Sequence, residues 1–250
     1  MIRLLEGSSA IPLDDLVDFC LESHRLDRRL VMLNMVVSLD GATAVRGRSG
    51  PLSDSDDQAL FQAFRAASDV ILVGAGTVRA EDYGPVRLTE AARRARERRG
   101  LSPIPEMAVV SASLRLEPTA RLFSDPAQRP LVFTARAAVP RADTLGDRAR
   151  VVPMGREEAN LAEVIEHLLE LGHRTILCEG GPTLNSGLIG AGLVDELDLA
   201  LSPVIVGGSS FPLVAETPPV PLGFRLERVM SGDRMLFLRY LREERSHLQA

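Results

Sequence analysis

Two glycine-rich turns are the residues best suited to bind a phosphorylated ligand. The first, Gly74-Ala75-Gly76-Thr77-Val78-Arg79, follows the apolar run Val70 to Val73. The second, Gly180-Gly181-Pro182-Thr183, follows the run Thr175 to Glu179. Glycines at the carboxyl end of a strand allow a tight turn, and the amides that begin the next helix can bind phosphate. Because parallel strands place both turns on one edge of a sheet, together they predict a nucleotide or dinucleotide site.

The first turn alone does not identify a cofactor. The dinucleotide fingerprint has a third glycine where this chain has Arg79, and a purely structural turn explains the two glycines equally well. A guanidinium beside helix amides is nevertheless a good anion receptor. The interpretation as a ligand site therefore depends on the second turn.

Carboxylates follow two of the expected strands. Asp40 lies in Ser38-Leu39-Asp40-Gly41, where an ordinary Asp-Gly turn is favoured over a catalytic acid. Glu81 and Asp82 come just after the first glycine turn, either beside the bound ligand or in a solvated loop. Asp57 lies in the first turn of an expected helix, where the helix dipole favours an acid.

The composition excludes several chemistries. All 29 basic residues are arginine, so Schiff-base and pyridoxal chemistry, a P-loop lysine and a lysine-assisted tyrosine acid are ruled out. The four histidines lack metal-ligand spacing, and there is no Gly-x-Ser-x-Gly elbow. Cys20 and Cys178 lie in apolar surroundings typical of core thiols. We therefore predict no metal centre and no hydrolase chemistry.

The charge and hydropathy patterns are those of a soluble protein. The net charge is −5 with 45% hydrophobic residues, and no apolar run reaches the roughly 20 residues of a membrane span. A signal-peptide pattern is missing at the start, so a cytoplasmic location is expected. The basic run Ala91 to Gly100 has no interleaved aromatics and is interpreted as a solvated surface, not a nucleic-acid patch.

The hydrophobic patterning predicts an α/β protein with a largely parallel sheet flanked by helices. Residues 1–29 are expected to form a helical extension, 30–242 a single domain and 243–250 a tail. Helices are predicted at Leu13 to His24, Ser53 to Ser68 (with Ser53 and Asp54 as cap candidates) and Asn160 to Leu171. Strands are predicted at Leu30 to Leu39, Asp69 to Gly74, Met107 to Ser111, Leu131 to Thr134, Ala149 to Pro153 and Thr175 to Glu179, then at Glu196 to Ile205, Phe224 to Met230 and Arg234 to Leu241. The last two would form an antiparallel hairpin that closes the sheet.

The motifs MVVSLDGATA, SGPLSDSDDQ, FRAASDVILVGAGTVRAEDYGPVRL and ILCEGGPTLNSGLIGAGLVDELDLALSPVIVGG occur in this order. Together they resemble the C-terminal reductase domain of the bifunctional riboflavin-biosynthesis deaminase/reductase, over about Leu30 to Leu241. Within that family the chain is most similar to stand-alone actinobacterial members. The resemblance implies a dihydrofolate-reductase-like fold and NADPH-dependent reduction of a phosphorylated ribosylamino-pyrimidine to its ribitylamino form.

The resemblance divides the motifs between cofactor and substrate. The NADPH residues that it implies are Gly74, Gly76, Thr77, Val78, Arg79, Ser111, Gly180, Gly181, Pro182, Thr183 and Leu184, with Ser111 and Arg79 at the 2′-phosphate. The implied substrate residues are Asn34, Ser53, Asp57, Arg65, Arg87 and Glu179, with Arg65 and Arg87 at the ribose phosphate and Glu81 at the reacting sugar. The bacterial bifunctional enzymes have lysine where this chain has Asn34, and aspartate is usual where it has Glu81. The chain contains no His-x-Glu with a following Pro-Cys-x-x-Cys, so only the reduction step is expected.

Two other functions remain open at this stage. A dihydrofolate or pterin reductase would use Asp57 at the amino-pyrimidine edge, and a non-catalytic NADP-binding protein would need no acid at all. Since the chain lacks lysine and a well-placed histidine, a carboxyl group must supply the proton unless water does so: Glu81 for the ribosyl reaction, Asp57 for a pterin. The family also implies a homodimer, formed through the C-terminal antiparallel strands.

Overall fold

The computed structural model describes residues 2–4, 10–12, 15–23, 28–208, 212–215 and 222–243. The strands in these ranges are β1 (Ile2–Leu4), β2 (Ala10–Ile11), β3 (Leu30–Ser38), β4 (Val70–Gly74), β5 (Glu106–Val110), β6 (Leu131–Thr134), β7 (Arg150–Pro153), β8 (Thr175–Cys178), β9 (Glu196–Ser202), β10 (Phe224–Ser231) and β11 (Leu236–Arg242). The α-helices are α1 (Leu16–Ser23), α2 (Ser55–Ala67), α3 (Ala75–Ala80), α4 (Glu90–Arg98), α5 (Leu161–Glu170) and α6 (Pro182–Gly190).

The described strands form one mixed sheet in the order β2-β1-β10-β11-β9-β3-β8-β4-β5-β6-β7. From β9 to β7 all neighbours are parallel. The hairpin β10-β11 is antiparallel and pairs with β9. The predicted fold class, a mostly parallel sheet flanked by helices and extended by a C-terminal antiparallel hairpin, is confirmed.

The central strands are apolar on both faces because helices cover both sides of the sheet. On β4, Ile71 and Val73 pack into a core with helices α1 and α2, whereas Val70 and Leu72 pack into a second core with α5 and α6. This alternation follows from the two-residue period of a strand. It explains why β4 was recognisable as a continuous apolar run.

The helix that borders the predicted site begins at a well-defined cap. The Asp54 side chain accepts hydrogen bonds from the amides of Asp56 (3.0 Å) and Asp57 (2.9 Å), which satisfies two donors that have no partner inside the helix. Of the two cap candidates, Asp54 is therefore the N-cap of α2, and Ser53 lies before the helix.

The N-terminal segment differs from the predicted helical extension. It contributes α1, but also β1, which pairs antiparallel with β10 and with β2 at one edge of the sheet. Strands of two and three residues are too short to show a periodic pattern, so they were not predicted. Residues 13, 14 and 24 of the predicted helix, and 244–250 of the predicted tail, lie outside the described residues.

The basic segment near residue 95 forms α4, and the interpretation of this segment as solvated is wrong for Arg96. This side chain is fully buried. It donates hydrogen bonds to the carbonyl oxygens of Ala66 (2.7 Å), Ser68 (2.5 Å) and Ser102 (2.7 Å). Arg96 thereby joins α4 to the end of α2, where carbonyl groups have no partner within the helix.

The antiparallel strands carry an apolar face that belongs to neither core. On β9, Asp198 and Ala200 face the helices, so Leu199 and Leu201 point to the opposite side. The register of β10 and β11 adds further side chains to this apolar strand face, which consists of Leu199, Leu201, Leu226, Val229, Leu236 and Leu238. Leu226 is 51% exposed and Leu236 is 38% exposed.

We expect Arg96→Ala to lower the free energy of unfolding by about 3 kcal/mol or more, because it leaves several buried carbonyl groups without a donor. Arg94→Ala is the matched control, since Arg94 lies on the same helix with a side chain that is 66% exposed; it should change the free energy by less than about 0.5 kcal/mol. Urea denaturation measures both. Equal stability of the two variants would contradict the structural role of Arg96.

Candidate active site

A cleft of about 1320 Å³ lies along the carboxyl ends of the parallel strands. It is bordered by Asn34 of β3, by Gly74 after β4, by Ser111 after β5 and by Glu179 after β8. The carboxyl edge of a parallel sheet is the usual ligand-binding edge of such folds. The cleft therefore lies where the sequence predicted the site, at the carboxyl edge of the parallel strands.

The two glycine turns contact each other at this edge. The amide of Gly74 donates a hydrogen bond to the carbonyl oxygen of Gly180 (2.7 Å). A Cβ atom on Gly181 would lie 2.7 Å from Oγ1 of Thr77, so a side chain at this position would displace the threonine. Gly180 has a φ of +77°, which residues other than glycine rarely adopt. Glycine is thus required here both by the close approach of the turns and by the backbone.

Most of the predicted cofactor residues line the cleft. They are Gly74, Gly76, Thr77, Arg79, Ser111, Gly181, Pro182, Thr183 and Leu184. Val78 does not line it, because its side chain is buried in the α1–α2 core, and Gly180 lies behind the lining residues. Arg79 is exposed and donates a hydrogen bond to the carbonyl oxygen of Arg115 (3.0 Å).

Glu179 is the centre of a buried hydrogen-bond network that borders the cleft beside the second glycine turn. Its two carboxylate oxygens accept from Nε and Nη2 of Arg65, both at 2.7 Å, and Oε2 also accepts from the Tyr83 hydroxyl at 2.6 Å. The Glu179 side chain is only 2% exposed. Burial alone would lower the pKa of Arg65, but the paired carboxylate raises it, so the guanidinium is charged at neutral pH. Phe61 stacks on the guanidinium at 4.3 Å and fixes its plane.

The two arginines predicted to bind the ribose phosphate do not border the cleft. Arg65 directs two nitrogens at Glu179, and Arg87 is exposed outside the lining residues. Their role at a phosphate stays a prediction. Glu179 itself borders the cleft, as expected for a substrate residue.

Asp57 lies at the floor of the cleft, next to Ser53 and Asn34. Its Oδ2 atom accepts a hydrogen bond from the Ser53 hydroxyl at 2.5 Å. Burial raises the pKa of Asp57, the nearby Asp54 carboxylate adds to the rise, and the Ser53 hydrogen bond opposes it. An acid with a raised pKa can hold a proton closer to neutral pH than an ordinary aspartate.

Glu81 also borders the cleft, but its carboxylate is used by a neighbouring loop. Oε1 accepts a hydrogen bond from the amide of Ser49 at 2.6 Å. Ser49 belongs to the loop 43–50, which lines the cleft through Thr43, Ala44, Gly47, Ser49 and Gly50. Glu81 therefore holds this loop beside the cleft and is also one of the acids that line it.

The other two candidate acids are outside the cleft. Asp40 accepts hydrogen bonds from the Ser38 hydroxyl (2.6 Å) and from the amides of Val206 (3.1 Å) and Gly207 (2.7 Å). These bonds, led by that of Ser38, lower the pKa of Asp40 to about 2. The turn interpretation of Asp40 is supported. Asp82 is exposed and pairs with Arg121.

Several lining residues were not predicted. Tyr83 and Phe61 were assigned no ligand contact, and the lining residues Glu158, Ala159, Leu161, Ser186 and Gly187 come from segments without a chemical motif. Loops carry no periodic pattern, so single residues within them cannot be placed on a cleft from spacing. The glycines at 47 and 50 were the available signal for the loop 43–50.

The described residues contain no group of three or more histidine, cysteine, aspartate or glutamate side chains that could hold a metal ion. Within the same ranges, no helix combines the length and apolar character that a membrane span requires.

The chain is similar to known proteins in sequence and in fold. The model of the RibD C-terminal domain family matches residues 29–236. The chain belongs to this family. The matched range includes β3 to β10 and every residue of the candidate site.

Two relatives of this chain are named for an activity. A protein of Archaeoglobus fulgidus, named 2,5-diamino-6-ribosylamino-4(3H)-pyrimidinone 5′-phosphate reductase, is 33% identical over 206 residues, covering 81% of this chain and 93% of the relative. A protein of the same name from Methanothermobacter thermautotrophicus is 34% identical over 181 residues, covering 72% and 81%. The crystal structure of a pyrimidine reductase-like protein from Corynebacterium diphtheriae superimposes with a TM-score of 0.83 at 26% identity, covering 94% of this chain and all of that one.

Proposed function

We propose that this protein is an NADPH-dependent reductase that converts a phosphorylated ribosylamino-pyrimidine to its ribitylamino form in riboflavin biosynthesis. The observation that carries the proposal is the cleft itself, which is lined by two glycine turns, by hydroxyl and guanidinium donors, and by carboxyl groups and an aromatic ring. The names of the Archaeoglobus fulgidus and Methanothermobacter thermautotrophicus relatives support the same substrate class.

The residues at the glycine end fit a nucleotide cofactor. Thr77, Arg79, Ser111 and Thr183 offer donors suited to phosphate oxygens, and Gly76 has open space where a side chain would lie. The first amides of α6 point out of a helix of nine residues that has no side-chain cap. When bound, a nicotinamide cofactor supplies the hydride for the reduction.

The carboxyl, amide and hydroxyl side chains of the cleft fit the pyrimidine and its sugar. Asp57, Asn34 and Ser53 present a carboxyl, an amide and a hydroxyl to an amino-pyrimidine edge, and Glu81 lies nearer the cofactor turn. Arg65 would contact a ribose phosphate through Nη1, the guanidinium nitrogen that does not bind Glu179. Arg87 would contact it only if its side chain turned towards the cleft. Two carboxyls, Asp57 and Glu81, can therefore supply the proton that accompanies the hydride.

Reduction of dihydrofolate or another pterin is a second candidate, because one specific observation favours it. Asp57 is a partly buried acid on a helix at the floor of the cleft, and its raised pKa suits a group that binds or protonates an amino-pyrimidine ring. A pterin and a diaminopyrimidine share this amino-pyrimidine edge, so Asp57 serves both proposals.

We also propose that the protein is a homodimer formed through the apolar strand face. This face presents six apolar side chains of β9, β10 and β11 that neither core covers. Large exposed apolar patches usually mark interaction surfaces, and a two-fold axis lets the same patch cover its own copy.

The assay of cofactor preference tests the phosphate contacts. We expect NADPH to bind more tightly than NADH, because Arg79 and Ser111 offer a charged and a hydroxyl contact to the 2′-phosphate. Such a contact contributes about 1.5 to 3 kcal/mol, or roughly one to two decades in affinity. Arg79→Ala should reduce this preference, and Arg98→Ala on the distant α4 should preserve it. Fluorescence titration of each variant measures both affinities, and equal affinity of the wild-type protein for the two cofactors would refute the assignment.

The assay of activity tests the reaction and the proton donor together. We expect oxidation of NADPH with the phosphorylated ribosylamino-pyrimidine, and little with dihydrofolate. Glu81→Gln removes a titratable group but keeps its size, so it should lower turnover by about two to four decades if Glu81 is the donor, with cofactor affinity nearly unchanged.

Asp57→Asn is the matched comparison for Glu81→Gln. If Glu81→Gln keeps full turnover while Asp57→Asn loses it, the donor is Asp57. Turnover of dihydrofolate alone would assign the pterin reaction, and no oxidation with either substrate would leave a cofactor-binding protein without this activity.

The molar mass of the protein in solution tests the proposed dimer. Light scattering at micromolar concentration should report twice the chain mass of 27.1 kDa. Leu238→Arg places a charge in the middle of the apolar strand face and should give the single-chain mass. Leu171→Arg is the control, because Leu171 is 47% exposed at the end of α5, outside that face. A single-chain mass for the wild-type protein would refute the dimer.

A further inference from the structure

A second, much smaller cavity lies directly below the floor of the cleft, between α2 and strands β3, β9 and β11. Its volume is about 10 Å³, close to the space that one water molecule needs. Most of its lining is apolar, but four polar side chains also border it: Asn34, Asp57, Asp198 and Arg239. Asn34 and Asp57 border the cleft as well, so the two cavities share one wall.

The register of the sheet places three of these polar residues in a row. Asn34 on β3 pairs with Asp198 on β9, and Asp198 pairs with Arg239 on β11. Residues directly opposite each other on neighbouring strands share a face of the sheet. A polar row therefore runs from the cleft into the core beneath α2, where Asp198 is 5% exposed.

The buried end of this row already shares one proton. Nη2 of Arg239 donates to Oε2 of Glu196 at 2.5 Å, and Asp198 is hydrogen-bonded to Glu196. Two carboxyl groups can form a hydrogen bond only when one of them is protonated. Burial, reinforced by the Glu196 charge, raises the pKa of Asp198 well above that of a free aspartate, whereas Arg239 and Arg228 oppose the rise. Burial and the Glu196 charge therefore favour the protonated form of Asp198, and Cys20 of α1 completes the groups that face it.

Two polar atoms of the side chains that line this cavity lack a partner among the described residues. They are Oδ2 of Asp198, which can accept, and Nε of Arg239, which can only donate. Leaving either atom buried without a partner is unfavourable. One water molecule can satisfy both, because a water oxygen accepts from a guanidinium and a water hydrogen donates to a carboxyl oxygen. Such a water keeps a second hydrogen, and Asp57 and Asn34 line the same cavity.

We propose that one internal water molecule joins Arg239 and Asp198 to Asp57, and that Asp198 is a positioning residue for Asp57. The water donates to an Asp57 oxygen and so fixes the direction of this carboxyl at the floor of the cleft. The role of Asp57 in the reaction rests on the proposed function, whereas the water site does not. The titratable groups that border the Asp57 carboxyl are Asp54 on its own helix, Glu81 and Glu179 across the cleft, and Asp198 and Arg239 beneath it.

The water site is tested on the wild-type protein alone. A high-resolution crystal structure should contain an ordered water within hydrogen-bond distance of Oδ2 of Asp198 and Nε of Arg239. A dry cavity, or a water bonded to neither atom, would overturn the proposal whatever the protein reduces.

The positioning role is tested with two substitutions of Asp198. Asp198→Asn has nearly the same shape, keeps an acceptor for the water and a donor for Glu196, and is as uncharged as the protonated acid. Asp198→Val removes both the acceptor for the water and the donor for Glu196. Because a hydrogen bond to a carboxylate favours its charged form, loss of the water should raise the pKa of Asp57 further. In Asp198→Val, the fall of kcat/KM with rising pH should therefore move upward by about one pH unit, and in Asp198→Asn it should stay in place.

Glu106→Gln is the control for this experiment. Glu106, at the start of β5, is hydrogen-bonded to His173 and paired with Arg150, so its loss perturbs partly buried polar contacts without touching the cleft. It should leave the pH profile unchanged. If Asp198→Val unfolds more easily but keeps the wild-type pH profile, Asp198 is structural only and its positioning role is refuted. A wild-type protein that reduces no substrate would refute the proposed function, and the crystallographic test would still decide the water site.

Discussion

The parallel pairing of β8 between β3 and β4 is the constraint on which the site depends. This pairing places the ends of β4 and β8 side by side, and the hydrogen bond between Gly74 and Gly180 joins the two turns directly. The glycine end of the cleft, the carboxylate of Glu179 and the start of α6 all take their positions from this contact. A change of register in β8 would move each of them to the wrong face, because side chains alternate along a strand.

Arginine performs every buried cationic role described in the chain. Arg65 binds both oxygens of Glu179, Arg96 binds three backbone carbonyls, and Arg239 reaches Glu196 beneath the cleft. Arg65 and Arg96 each use two nitrogens in a fixed plane, which the single nitrogen of lysine cannot reproduce. A composition without lysine therefore suits this core, in which charged groups hold helices and strands together by multiple bonds.

The sequence predicted the sheet and the glycine end of the cleft well, because both depend on local signals. Apolar strands of four or five residues and strand-end glycines can be recognised one segment at a time. The part of the cleft that contains the carboxyl side chains was harder to predict, since it depends on contacts between distant residues. Nothing near Arg65 in the sequence indicates that Glu179, 114 positions away, occupies its guanidinium, and nothing near Asp198 indicates that a strand pair brings it beneath Asn34. The two edge strands β1 and β2 were missed because so few residues form them.

The hydrogen bond between Glu81 and Ser49 links an acid of the cleft to the loop 43–50. The Ser49 amide uses one acceptor site of Oε1, and a carboxylate has about four such sites on its two oxygens, so Glu81 can accept from a second donor while it still binds the loop. One side chain thus serves as an anchor for the backbone of the loop and as a polar group of the cleft. A substitution of Glu81 therefore alters the attachment of the loop as well as the charge inside the cleft.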